Sequence, residues 1–115
     1  MTRDESLYIS EILEQIELIQ ASVKGRQKTD FGKDLNLRDA TIRRIEVIGE
    51  AAKSISEKTK AKHPKVSWKE ISGTRDVLIH AYFGVDLNIL WNIIKADLPL
   101  LKQQMKKIKE EQERL

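Results

Sequence analysis

A chain of 115 residues is large enough to bury one hydrophobic core and too small for two, so residues 1–115 read as a single domain. With 40% hydrophobic and 34% charged residues but only 5 Gly and 2 Pro, the composition favours long helices over a turn-rich β fold, and the absence of cysteine excludes disulfides, thiolate metal sites and cysteine nucleophiles. A net charge of +3 and a pI near 9.2 permit an anionic partner such as RNA without requiring one.

The N-terminus, Met1-Thr-Arg-Asp-Glu-Ser6, runs straight into an amphipathic pattern, and no apolar run is long enough to span a bilayer. The expectation is a soluble, unprocessed, cytoplasmic protein. Ile9, Ile12, Ile16, Ile19 and Val23 recur at three-four spacing, with Glu11, Glu14 and Glu17 outside the stripe, which predicts a first helix over residues 4–23. Lys24-Gly-Arg-Gln-Lys-Thr-Asp-Phe-Gly-Lys-Asp34 is polar and aperiodic and reads as a connection, with Phe31 as a lone anchor. A long second helix is predicted from about Leu37 to Thr59 on Ile42, Ile45, Gly49, Ala52 and Ile55, and the small pair Gly49 and Ala52 would let another helix approach closely. His63-Pro64 ends that region, because a residue before proline is pushed out of the helical conformation. Ser67 and Glu70 have the spacing of a capping box, so helix three should start there and run to Gly84. Asp86 is the expected N-cap of a fourth helix through Leu87, Leu90, Trp91 and Ile94; Leu101, Met105 and Ile108 resume the period, either in the same helix kinked near Pro99, the preferred reading, or in a fifth helix with Pro99 in its first turn. The fold class is all-α: an antiparallel bundle of four to five helices.

The chain's most concentrated chemistry falls on the third of these helices, in Gly73-Thr-Arg75-Asp76-Val-Leu-Ile-His80-Ala-Tyr82-Phe-Gly-Val-Asp86. On a helix, Arg75 and Tyr82, seven positions apart, leave in nearly the same direction, and Asp76 sits beside His80 four positions on. Ile71, Thr74, Val77, Leu78 and Ala81 form the apolar arc that would face the core, which turns the polar set outward. An imidazole near its reference pKa of about 6.5 can take a proton from a ribose 2′-hydroxyl or give one to a leaving oxygen. A guanidinium matches a phosphate and the charge that grows on it, so Arg75 is the candidate phosphate ligand, Asp76 the carboxylate that orients His80, and Tyr82 a phosphate or base contact. No dense carboxylate or histidine cluster accompanies them, and neither a metal nor a cofactor is expected.

Against this stands the ordinary reading, in which any single His, Arg or Tyr on a helix is a surface or packing residue. By the same reasoning His63 is a loop residue, and Lys58, Lys60, Lys62, Lys65 and Lys69 form a solvated basic stretch rather than a nucleic-acid track. Trp68 and Trp91 are expected in the core. Ile79 and Phe83, apolar on the outward arc, suggest a subunit interface.

Arg75, His80 and Tyr82, with the polar Asp76 after the arginine, resemble the signature of the HEPN superfamily. Val47-Ile-Gly-Glu-Ala-Ala-Lys53, His63-Pro-Lys-Val-Ser-Trp68 and His80-Ala-Tyr-Phe-Gly-Val-Asp86 followed by Trp91 resemble its HepT-like branch, over a stretch from helix two to Pro99. The resemblance implies a small all-helical homodimer that acts as the ribonuclease toxin of a toxin–antitoxin module. Its partner would be a minimal nucleotidyltransferase antitoxin. It also implies metal-independent RNA cleavage with Arg75 and His80 as the catalytic pair, Asp76 as the supporting polar residue and Tyr82 as the tyrosine that receives AMP. A two-fold axis near helix three would bring two copies of Arg75 and His80 into one groove and cover Ile79 and Phe83. The alternative from another class is a non-catalytic helical module that binds a nucleotide or protein and docks a nucleotidyltransferase; a third is a purely structural helical dimer.

Overall fold

The computed structural model describes residues 3–74, 79–80 and 84–114 of the chain, with only the backbone described at residues 3, 4, 79 and 80. Among the described residues the fold is all-α apart from one two-residue strand pair. Its elements are α1 (Arg3–Val23), α2 (Asp30–Lys33), α3 (Leu35–Lys53), α4 (Glu57–Lys62), α5 (Trp68–Ser72), β1 (Ile79–His80), β2 (Gly84–Val85), α6 (Leu87–Asn92), a π-helical turn (Ile93–Asp97) and α7 (Leu98–Glu113).

The frame consists of α1 packed against both α3 and α7. The α1 stripe read from the sequence is the buried one: Ile9, Ile12, Ile16 and Ile19 are fully enclosed. Ile42, Ile45 and Ile48 of α3 and Leu101, Met105 and Ile108 of α7 complete the core. Two polar contacts bridge this frame: Arg44 donates to the Ser22 hydroxyl (3.4 Å) and Lys102 to the side-chain Oε1 of Gln20 (3.0 Å). Phe31 is the anchor its isolation predicted, buried under the connection with its ring 5.9 Å from that of Trp91 in an edge-on arrangement.

The second helix is not the single rod from Leu37 to Thr59 that its period suggested. It breaks after Lys53, and Ser56 starts α4 by accepting the Thr59 amide on its hydroxyl. The Ser56 amide is taken by the Oε1 of Glu5 at 2.7 Å, a buried carboxylate from the start of α1. Ile55 stays in the core across the break, so the apolar period survives where the helix does not.

The run from Leu87 to Glu113 stays helical but changes form just before Pro99, which falls in the first turn of α7. Proline lacks an amide proton and its ring crowds the carbonyl four residues back, and the wider π turn just before it relieves that crowding. There the Leu98 amide reaches back five residues to the Ile93 carbonyl. Lys95, on the outer side of this turn, lies 4.9 Å from the centre of the half-buried Trp91 ring.

Candidate active site

Sequence chemistry converges on the stretch between Thr74 and Asp86, and the structure holds that stretch at both ends. On the N-terminal side, α5 lies directly on α3. A Cβ at Gly49 would sit 3.1 Å from the Ile71 carbonyl oxygen, so the close approach predicted for this small residue occurs, with α5 as the partner. Trp68 is buried and its indole donates to the His63 carbonyl (3.1 Å), which fixes the entry to α5. The Ser67 hydroxyl makes no capping bond, so the capping box is not formed; the Ser67 carbonyl accepts the Ile71 amide instead. Thr74 closes the element by donating its hydroxyl to the Glu70 carbonyl at 2.8 Å, and Arg75 follows at once in the chain.

On the C-terminal side, β1 pairs antiparallel with β2, with Ile79 opposite Val85 and His80 opposite Gly84. Gly84 has φ +74°, the left-handed backbone that favours glycine, but it uses that freedom inside a hairpin rather than to cap a helix. Asp86 is the N-cap expected of it: one carboxylate oxygen accepts the amides of Asn88 (3.0 Å) and Ile89 (3.1 Å). The Lys28 ammonium then ties the Asn88 side chain to the first connection at 2.8 Å.

Helix three as predicted, unbroken from Ser67 to Gly84, is therefore corrected: α5 ends at Ser72 and the backbone is extended at Ile79 and His80. The outward arc of Asp76, Ile79, His80 and Phe83 assumed a continuous helix, and the backbone described at Ile79 and His80 is not helical. Arg75 and Asp76 lie outside the described residues, as do Tyr82 and Phe83. For Ile79 and His80 the description is of backbone alone.

Beside Thr74 the structure opens two adjoining cavities that the sequence reading missed. One, of about 280 Å³, lies between α3, α5 and α7. The other, of about 480 Å³, lies between α5 and α6 and is bordered by Asn88, Ile89 and Asn92. Glu70, Thr74, Ile93 and Asp97 belong to both. Partial burial raises the pKa of the Asp97 carboxyl above the ordinary aspartate value. Asn88 and Asn92, one turn apart on α6, offered a signal in their spacing; Asp97, at the end of the π turn, offered none. This cleft supplies hydrogen-bonding amides and carboxylates over an apolar floor, which suits the edges and faces of bases better than phosphates. Among the described residues no group of three or more His, Asp or Glu side chains converges as a metal site, and no helix is long and apolar enough to cross a membrane.

The family model described as "Ribonuclease HepT-like" matches residues 12–108, a span that includes the framed stretch and both of its anchors. The chain belongs to this HEPN-superfamily family of HepT-like ribonucleases. Among curated relatives it is 45% identical over 111 residues to a protein of Methanocaldococcus jannaschii named gamma-glutamylcyclotransferase and putative RNase, covering 96% of this chain and 50% of that relative. It is 46% identical over 101 residues to a protein of Caldanaerobacter subterraneus subsp. tengcongensis named a putative RNase, covering 88% and 90% of the two chains. It is 42% identical over 109 residues to the "probable ribonuclease HepT" of Thermococcus cleftensis, covering 95% and 99%. The HepT-like chain thus spans half the length of the first relative and nearly all of the other two. No solved structure matches it. The all-helical build implied by the HepT-like resemblance is the build observed.

Proposed function

We propose that this chain is a metal-independent endoribonuclease, the toxin of a toxin–antitoxin module, acting as a single-domain cytoplasmic protein. The observation that carries the reading is the HepT-like match over residues 12–108, because the Arg75, Asp76, His80 and Tyr82 signature falls inside it and the two relatives of similar length are named "putative RNase" and "probable ribonuclease HepT".

In this mechanism Arg75 binds the scissile phosphate and offsets the charge that builds on its non-bridging oxygens. His80 takes the proton from the ribose 2′-hydroxyl as that oxygen bonds to phosphorus; the bond from phosphorus to the 5′-oxygen breaks, and the leaving oxygen is protonated by the second imidazole of a dimer. The products are a 2′,3′-cyclic phosphate and a free 5′-hydroxyl. Asp76 orients His80. A homodimer with Ile79 and Phe83 at its interface supplies the two copies of Arg75 and His80 that one base and one acid require. The nucleotidyltransferase antitoxin neutralises the enzyme by transferring AMP from ATP to the Tyr82 hydroxyl, with release of pyrophosphate. AMP on Tyr82 would add a bulky anion to the same segment as Arg75 and so oppose binding of substrate phosphate.

The test is chemical analysis of cleaved RNA together with the oligomeric state. Cyclic phosphate ends from a dimer, lost when Ile79→Glu or Phe83→Glu yields a folded monomer, are the expected result. Cleavage that persists in the monomer overturns the composite site, and absence of cleavage by unmodified protein assigns the chain to the docking role.

A further inference from the structure

The lysines of the α4–α5 edge form a one-sided basic strip. Lys62, Lys65 and Lys69 are exposed along the end of α4, the linker and α5. On α7, Leu100, Gln104, Lys107 and Glu111 recur at three-four spacing and share one stripe. That stripe faces the same linker: Gln104 donates to the Lys65 carbonyl at 3.3 Å, and His63 Nε2 lies 3.2 Å from Glu111 Oε2. The exposed Lys107 lies between Gln104 and Glu111 on this stripe, on the side of α7 that faces the linker carrying Lys65. Among the described residues none of these lysines is in an ion pair; Glu57 is engaged by Lys60 and Glu111 by His63, which leaves Glu70 as the nearby carboxylate in the cleft. The opposite face of α7 is different. There Lys106 and Lys109 share a groove with Glu14, Glu17, Glu110 and Glu113, which balances their charge.

The strip is placed to lead toward the framed stretch, since Lys69 lies on α5 and its carbonyl accepts the Gly73 amide just before Thr74 and Arg75. Resting on the ribonuclease reading above, we propose that Lys65, Lys69 and Lys107 form a backbone track for single-stranded RNA, gripping phosphates away from the scissile bond. Each phosphate neutralised releases condensed counterions, so each lysine contributes about 0.7 to the slope of log affinity against log salt on a single strand.

The test is fluorescence anisotropy with a 2′-O-methyl RNA oligomer, which keeps every phosphate and cannot be cut by 2′-hydroxyl attack. The full chain is compared with Lys65→Gln/Lys69→Gln/Lys107→Gln and with Lys106→Gln/Lys109→Gln, each checked by circular dichroism. The triple variant should lower the salt slope by about 2, and the α1-side variant should leave it unchanged. Equal changes in both variants, no change in the triple variant, or no binding by the parent chain would overturn the track; an acidic protein partner is then the occupant to examine. A parent chain that binds with the predicted slope yet cuts no ordinary RNA leaves the track standing and removes the ribonuclease reading.

Discussion

The α1–α3–α7 frame and the stretch from Ser54 to Asp86 are built by different means. The frame uses length: helices of 21, 19 and 16 residues bury repeated isoleucine and leucine stripes against one another. The stretch uses short elements of two to six residues, held by individual polar contacts such as Glu5 on Ser56, Trp68 on His63 and Asp86 on α6. Burial makes the frame indifferent to any one hydrogen bond, whereas the stretch depends on each. The candidate residues Arg75, Asp76, His80 and Tyr82 fall, by sequence position, within the second region.

Substitutions on the two sides of this comparison should behave differently. Ile16→Ala removes a fully enclosed side chain at the centre of the frame and should cost about 2–5 kcal/mol in denaturant unfolding, with loss of the whole cooperative transition to lower denaturant. Glu5→Ala leaves the Ser56 amide without its carboxylate and should cost about 1–3 kcal/mol, with hydrogen exchange rising first around α4 rather than across α1. Gly49→Leu forces a side chain against the Ile71 and Ser72 carbonyls; a cost of about 1–3 kcal/mol is expected, and cleavage should fall by more than the unfolded fraction explains because α5 is displaced. Asp97→Asn should have the smallest effect. The folded chain holds the Asp97 proton more tightly than the unfolded chain, so this group lowers stability as pH rises through its raised folded pKa. The variant should be slightly more stable at neutral pH, by no more than about 0.5 kcal/mol for so exposed a residue, and should lose that advantage in acid.

What the sequence made legible follows the same division. The α1 stripe, the Phe31 anchor, the Asp86 cap and the irregular turn before Pro99 each rest on a local signal that burial or a single residue's geometry enforces. The break after Lys53 was hidden, because Ile55 keeps the apolar period while the deciding contact comes from Glu5, fifty-one residues away. The β1–β2 pair was hidden for a similar reason: Ile79 and His80 fit a helical pattern until Gly84 and Val85 offer them backbone partners. The sequence supplied candidate residue types for the site but not their spatial arrangement, since spacing converts to direction only when the backbone conformation is known.

The central claim is that His80 performs metal-independent RNA cleavage on the short framed stretch. The most direct measurement is the cleavage of a mixed RNA pool by unmodified protein in excess EDTA, beside His80→Ala of equal stability. The account predicts cleavage that survives EDTA and falls at least about 100-fold in the variant. Cleavage abolished by EDTA, or equal in the two proteins, would contradict it.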